Sequence, residues 1–194
     1  YREKGYLPEA MINFVSLLGW SPSDDREHFT LAELSKEFDL RRVSKSGAVF
    51  DVQKLQWFNG QYLRDLDLEQ RAALCLPYLE NAGYPAQLDK TTATIVDSLS
   101  KYLTFPGDIV EHAAIFFEEE AVPEDGEAED VARKDTSVTV YQTLAGKAET
   151  LEEWNRDNFK AAVKEVQKET GIKGKELFMP IRIALTGKKH GPDI

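Results

Sequence analysis

Apolar residues recur along most of this chain at three- and four-residue intervals, the period of a helix with one buried side. In "PEAMINFVSLLGW" the stripe is Ala10, Met11, Phe14, Val15, Leu17 and Leu18. Pro8 suits a first helical turn and Gly19 ends the run. "TLAELSKEF" sets Thr30 three residues before Glu33, the spacing of a capping box. Asp51 is placed to cap "VQKLQWFNGQYLRDL", with Leu55, Phe58, Tyr62 and Leu66 along one side. Asp67 is placed to cap "LEQRAALCLPYLENAG", which Pro77 is expected to kink or interrupt and Gly83 to end. "KTTATIVDSLSKYL" predicts another helix, and "PGDIVEHAAIFFEEE" one with Ile109, Ala113, Phe116 and Phe117 inward.

The second half alternates firmer and weaker signals. "AVPEDGEAEDVARKD" reads as an acidic loop. "TSVTVYQTLAG" is ambiguous: its Val and Thr favour a strand, its length and the Gly146 stop a helix. "TLEEWNRDNFKAAVKEVQKETG" is the strongest helical pattern, with Leu151, Trp154, Phe159, Ala162, Val163 and Val166 alternating with charges and Gly171 closing it. "KGKELFMPIRIALTG" predicts a last helix, bent near Pro180. No segment sustains period-two alternation with hairpin turns, and no repeat of 20–50 residues is visible. The expected fold is all-α, in two packed helical subdomains, 1–86 and 87–194, divided where Gly and Pro cluster in "AGYPAQLD".

The 194 residues, 42% of them hydrophobic, suffice for one domain or two small ones, each with a core. No apolar run approaches a membrane span, and no basic-apolar leader opens the chain. Cys75, the single cysteine, sits in "ALCLPYL", where a buried small hydrophobe in a reducing compartment is expected. A net charge of -10 opposes loose binding to a polyanion, but the charge is unevenly spread. Nine acids and no Lys or Arg lie between Glu111 and Asp130, while Gly171–His190 holds five Lys or Arg against one acid. The pattern fits a molecule that turns a basic end to phosphates and an acidic side to water; it also fits a plain solvated surface.

Candidate chemistry is sparse. His28, His112 and His190 lack the close spacing of metal ligands. "VSKSG" at 43–47 sets a Lys between serines, but a phosphate-cradling loop needs glycines before the Lys, and the only glycine follows it. No catalytic constellation is recognisable. Two basic clusters remain. One is Arg41, Arg42, Lys45 and Lys54; the other is the tail "IRIALTGKKHGPDI", where Arg182, Lys188 and Lys189 precede a Gly–Pro turn. Arginine suits bidentate bonds to phosphate or base edges, and an exposed turn can meet unstacked bases. The plain alternative is a helix whose basic end complements its own dipole.

Three blocks, "YREKGYLPEAMINFVSLLGW", "RVSKSGAVFDVQKLQWFNGQYLRDL" and "GKELFMPIRIALTG", resemble the C-terminal part of bacterial-type glutamyl-tRNA synthetases. The similarity runs nearly end to end and is weakest in the acidic loop. The resemblance implies a helical linker or stem-contact region over 1–86 and a helical anticodon-binding region over 87–194, short of the family's last helix. In such enzymes the "KMSKS"-like and "HIGH"-like ATP motifs lie upstream of the matching segment, so "VSKS" is a chance echo. The chain then looks like a fragment, inactive alone and without a cofactor of its own. The parent would be a monomeric cytoplasmic ligase, bacterial or organellar, joining glutamate to tRNA-Glu with ATP and magnesium. Whether it also charges tRNA-Gln stays open.

Residue by residue, the resemblance carries anticodon contact to Arg182, to the turn residues Gly191, Pro192 and Ile194, and to Lys101 and Tyr102. At Tyr102 a family arginine is replaced, so that stacking would take over from pairing. Arg41, Arg42, Lys45, Lys54, Lys188 and Lys189 are candidates for the RNA backbone, which positions without specifying. Two rivals follow from composition: a helical scaffold that binds another protein through its acidic loop, and a small enzyme that holds phosphate at "VSKSG".

Overall fold

The computed structural model describes residues 1–45, 47–118 and 120–191, and among them it is all-helical, with a single isolated bridge between Trp20 and Val43. The chain divides into two compact units, Tyr1–Ala114 and Ile115–Ile194. The first unit holds α1 (Pro8–Leu17), α2 (Leu31–Glu37), α3 (Val52–Asp65), α4 (Leu68–Asn81) and α5 (Lys90–Leu99). The division falls inside α6 (Ile109–Phe117). The second unit holds α7 (Gly126–Ala132), α8 (Asp135–Ala148), α9 (Arg156–Thr170) and α10 (Lys175–Thr186).

Local chemistry sets most helix starts. Thr30 and Glu33 form the expected capping box at α2, with Thr30 Oγ1 accepting from Glu33 N and Glu33 Oε2 accepting from Thr30 N. Carboxylates of Asp51, Asp67 and Asp89 accept from the first-turn amides of α3, α4 and α5. Pro77 and Pro180 lie inside helices that continue through them, α4 to Asn81 and α10 to Thr186.

The core of the first unit forms where α1 crosses α3, with Tyr6, Ala10 and Phe14 against Leu55, Phe58 and Tyr62. A second cluster, Trp20, Phe29 and Leu34, closes α2 onto the end of α1. Buried Asn59 joins three segments: its Oδ1 accepts from Leu7 N at 2.7 Å, and its Nδ2 donates to Thr104 O at 2.6 Å and Gly5 O at 3.3 Å. Beside it, a Cβ on Gly60 would sit 3.3 Å from Leu103 O, so the glycine admits the backbone of that crossing segment. In the second unit, Val140 of α8, Val163 and Val166 of α9, and Leu177 and Ile181 of α10 form one apolar cluster.

Several expectations change. The strand-or-helix segment is α8, with Ser137 and Val140 buried, and it runs past Gly146 to Ala148. Tertiary packing overrides the β preference of its Val and Thr. The acidic stretch is not all loop, because Asp125 caps α7 and Ala128 is fully buried. Helix α9 begins at Arg156, capped by Asn155, so Trp154 precedes the helix and is 66% exposed, stacked on Phe159. Phe116 is likewise exposed, at 44%. Helix α5 packs on α4, so the Gly- and Pro-rich stretch 82–89 is a turn within the first unit, whereas the expected division stood at 86/87.

Candidate nucleic-acid interface

Helix α10 buries Leu177, Pro180, Ile181 and Ile183, which leaves Arg182 half-buried between two core positions. The helix ends tightly. Thr186 Oγ1 donates to Arg182 O at 2.8 Å, Lys188 N donates back to Thr186 Oγ1 at 3.1 Å, and Gly187 N donates to Ile183 O at 2.8 Å. Gly187 takes the left-handed conformation, φ 69°, that turns the chain out of the helix. The chain returns so that a methyl group built on Gly191 would lie 3.7 Å from Arg182 Nη1. The fold therefore brings Arg182 and Gly191 together. Pro192 and Ile194 lie outside the described residues.

Lys189 has a different environment from the exposed cation expected of it. Its ammonium donates to Asp125 Oδ2 at 2.8 Å and Glu127 Oε2 at 2.6 Å, with the side chain only 18% exposed. These bonds raise its pKa above the ordinary lysine range and lower those of Asp125 and Glu127. Lys188 is half-buried beside it.

In the first unit, Lys101 and Tyr102 end a short 3-10 turn, with the ammonium 5.1 Å from the phenol ring centroid. The Tyr102 and His112 rings lie 5.3 Å apart. Arg41 and Arg42 occupy another 3-10 turn, capped by Asp39. Arg41 is 90% exposed and bonds Asp39 at 2.8 Å; Arg42 lies 5.8 Å over the Trp20 ring. Lys45 is exposed. Lys54, in the first turn of α3, pairs with Glu27. Ser46, the second serine of "VSKSG", lies outside the described residues.

One basic surface went unnoticed in the sequence. Arg156, Lys160, Lys164 and Lys168 recur every fourth residue along α9, all exposed, and none makes an ion pair with a described residue. Lys160 and Lys164 border a groove of about 250 Å³ between α9 and α10, lined also by Phe159, Val163, Phe178 and Ile181. The four-residue spacing was legible, but balancing acids on the same helix masked it. Those acids turn elsewhere: Glu165 and Glu169 hold Lys147 of α8.

Groups suited to covalent chemistry are poorly placed. Burial pushes the Cys75 thiol up to about 12. Among the described residues no cluster of three or more His, Cys, Asp or Glu is arranged to hold a metal. None of their helices is long and apolar enough to cross a membrane.

Comparison with known proteins adds identity to this geometry. The chain is 45% identical over its whole length to a glutamate–tRNA ligase of Bacillus subtilis (strain 168), covering 41% of that protein. It is equally identical to one of Geobacillus thermodenitrificans, covering 40%. Among solved structures it matches, over its full length, a glutamate tRNA ligase of Elizabethkingia meningosepticum in complex with its amino acid, at TM-score 0.87 and 34% identity, covering 38% of that chain. A glutamate-tRNA synthetase of Elizabethkingia anophelis matches at TM-score 0.86 and 33% identity, covering 37%. The chain thus spans about two fifths of the relatives it matches. Residues 1–57 match the family described as tRNA synthetases class I (E and Q), catalytic domain, so the opening helices align with a catalytic-domain profile rather than only with a linker. Residues 70–194, which carry α10 and its turn, match the family described as anticodon binding domain, and the chain belongs to that family.

Proposed function

We propose that this chain holds the anticodon arm of tRNA-Glu, so that a glutamate–tRNA ligase can charge the other end of the same RNA. The observation that carries the reading is the Arg182 guanidinium beside Gly191 at the end of α10, within the anticodon-binding match. A planar guanidinium next to a side-chain-free backbone suits a splayed base: the fork bonds the base edge, and the glycine admits its face. Lys101 and Tyr102 offer a stacking surface of the same character. Arg41, Arg42, Lys45, Lys54 and Lys188 are proposed as backbone contacts, joined by the exposed stripe Arg156, Lys160, Lys164 and Lys168. Lys189 is left out of that set because its ammonium is already held by two carboxylates.

Ligases of this kind use ATP with magnesium. The described residues do not fit that pair: no carboxylate cluster is arranged for a cation, and the lysine of "VSKSG" has no glycine before it to bare backbone amides to a phosphate. No step of the ligation is assigned to this chain.

The test compares binding of the full chain to tRNA-Glu and to the same tRNA with an altered anticodon. Tighter binding of the first is expected, and equal or absent binding of both would refute the reading. Within it, Arg182→Ala is expected to cost about 1–3 kcal/mol and to relax discrimination at one anticodon position. Uniform weakening across all tRNAs would reduce Arg182 to a backbone contact.

A further inference from the structure

The acidic run is the feature the RNA reading leaves unused, and part of it, though exposed, is engaged with the rest of the unit. The segment from Val122 to Glu127 closes on the turn that follows α10, through four kinds of contact. Glu124 N donates to Gly187 O at 2.9 Å. Lys189 N donates to Glu124 Oε1 at 2.8 Å. The Lys189 ammonium bridges Asp125 and Glu127. The Val122 backbone lies so close to Gly187 that a Cβ there would meet Val122 O at 2.1 Å. Asp125 also caps α7, and α7 packs on α10, so the segment is anchored at its far end.

Exposed ion pairs are worth little, because two mobile side chains must be frozen in water. Here the acids are 49% and 73% exposed, but the cation is only 18% exposed, its own amide is bonded in parallel, and both acids sit within three residues of a helix cap. Such a linked set holds one arrangement of residues 187–189, and Gly191 with the Arg182 guanidinium follows two residues later.

We propose that the segment Val122–Glu127 is a strap that positions the Gly187–Gly191 turn for RNA, with Lys189, Glu124 and Asp125 as positioning residues. The proposal rests on the RNA-binding reading. It makes an unusual demand of electrostatics: carboxylates beside an RNA site assist binding, because they order the turn more than they repel phosphate. A turn ordered only part of the time binds more weakly by that fraction.

The full chain is compared with Asp125→Asn/Glu127→Gln, which removes two negative charges and keeps a capping side chain, and with Lys189→Met and Lys189→Arg. The probes are the anticodon stem-loop of tRNA-Glu and a stem-loop with one anticodon base changed. In RNA-free protein, amide exchange at Glu124 and Lys189 should rise about tenfold in the double variant and in Lys189→Met. Affinity for the cognate stem-loop should fall about three- to tenfold in both, with the preference over the altered stem-loop shrinking. Lys189→Arg should restore most of both. Unchanged exchange overturns the strap, as does tighter cognate binding by the double variant, the result expected if the acids merely compete with phosphate for Lys189. Wild-type protein that prefers neither stem-loop sinks the RNA reading itself, whereas a preference that survives in a double variant with faster exchange sinks the strap alone.

Discussion

Asn59 is the sharpest test of what holds the first unit together. It is fully buried, and its amide joins the entry to α1, helix α3 and the segment after Tyr102. Asn59→Ala removes two short hydrogen bonds, to Leu7 N and Thr104 O, and a longer one to Gly5 O. Each short bond contributes about 1 kcal/mol net, and a buried group left without a partner adds about 1–3 kcal/mol. The expected loss is therefore about 3 kcal/mol. Asn59→Leu keeps the branched shape, slightly enlarged, and loses the same bonds, so it should cost at least as much; a small cost would mean that packing, not bonding, is what matters. Asn59→Asp separates the two ends of the amide. Its carboxylate can still accept from Leu7 N, but it faces the Thr104 and Gly5 carbonyls with negative charge. Burial and those oxygens raise the folded pKa of this new acid. Relative to wild type at the same pH, the variant should thus be worst near neutrality and recover as pH falls and the carboxyl gains a proton to donate. Urea unfolding read by tryptophan emission suits the measurement, because Trp20 is 1% exposed and lies in the same unit. A loss below about 1 kcal/mol for Asn59→Ala at unchanged m-value would refute the argument.

Two further outcomes follow from buried groups. Burial pushes the Tyr62 phenol up to about 12, and its hydroxyl donates to Phe29 O. A phenol in the unfolded chain ionises near 10, so the stability it lends is complete below about pH 10 and is lost as pH rises through about 12. Tyr62→Phe should lower stability at neutral pH but flatten that alkaline decline, and a wild-type decline persisting undiminished in the variant would contradict the assignment. Cys75 is fully buried, with its thiol raised to about 12, so alkylation by iodoacetamide at pH 8 should be negligible in folded protein and rapid in urea. Rapid labelling of the folded chain would show that α4 opens far more readily than its packing implies.

What the sequence disclosed, and what it withheld, divides by the range of the interaction. Caps act within three residues, so Thr30, Asp51 and Asp67 were legible as helix starts and the structure bears them out. The Asn155 cap is equally local, but the apolar run through Leu151 and Trp154 obscured it and drew the expected helix too far upstream. Helix α8 could not be read from its Thr and Val residues, because Val140 is helical through contact with α9 and α10. Asn59 carried no signal at all: its three partners lie 45 to 54 residues away. Arg182 was singled out by the basic tail and again by resemblance, and its closeness to Gly191 needed the folded turn. The pairing of Lys189 with the acidic run spans more than sixty residues, so a cation that looked free in sequence is occupied in the fold.

That last pairing bears on how a chain of net charge -10 could hold a polyanion. A sum over residues treats every charge as equally available, but a phosphate responds to the local field. In the second unit part of the acidity is already engaged: Asp125 and Glu127 with Lys189, Glu165 and Glu169 with Lys147, Glu129 with Arg133. The Glu129–Arg133 pair is close to neutral a few ångströms away, and each lysine cancels one of its two carboxylates. The cations on α9 have no such partners among the described residues, and two of them, Lys160 and Lys164, line an apolar groove. The unit therefore presents a basic stripe while its composition reads as acidic. Within about 10 Å, the screening distance at ordinary salt, the stripe governs what an approaching RNA meets, and beyond it the net charge is largely screened. At ordinary salt the acidic total should thus weigh little on binding, and at low salt it should slow long-range encounter while contacts made at close range keep their strength.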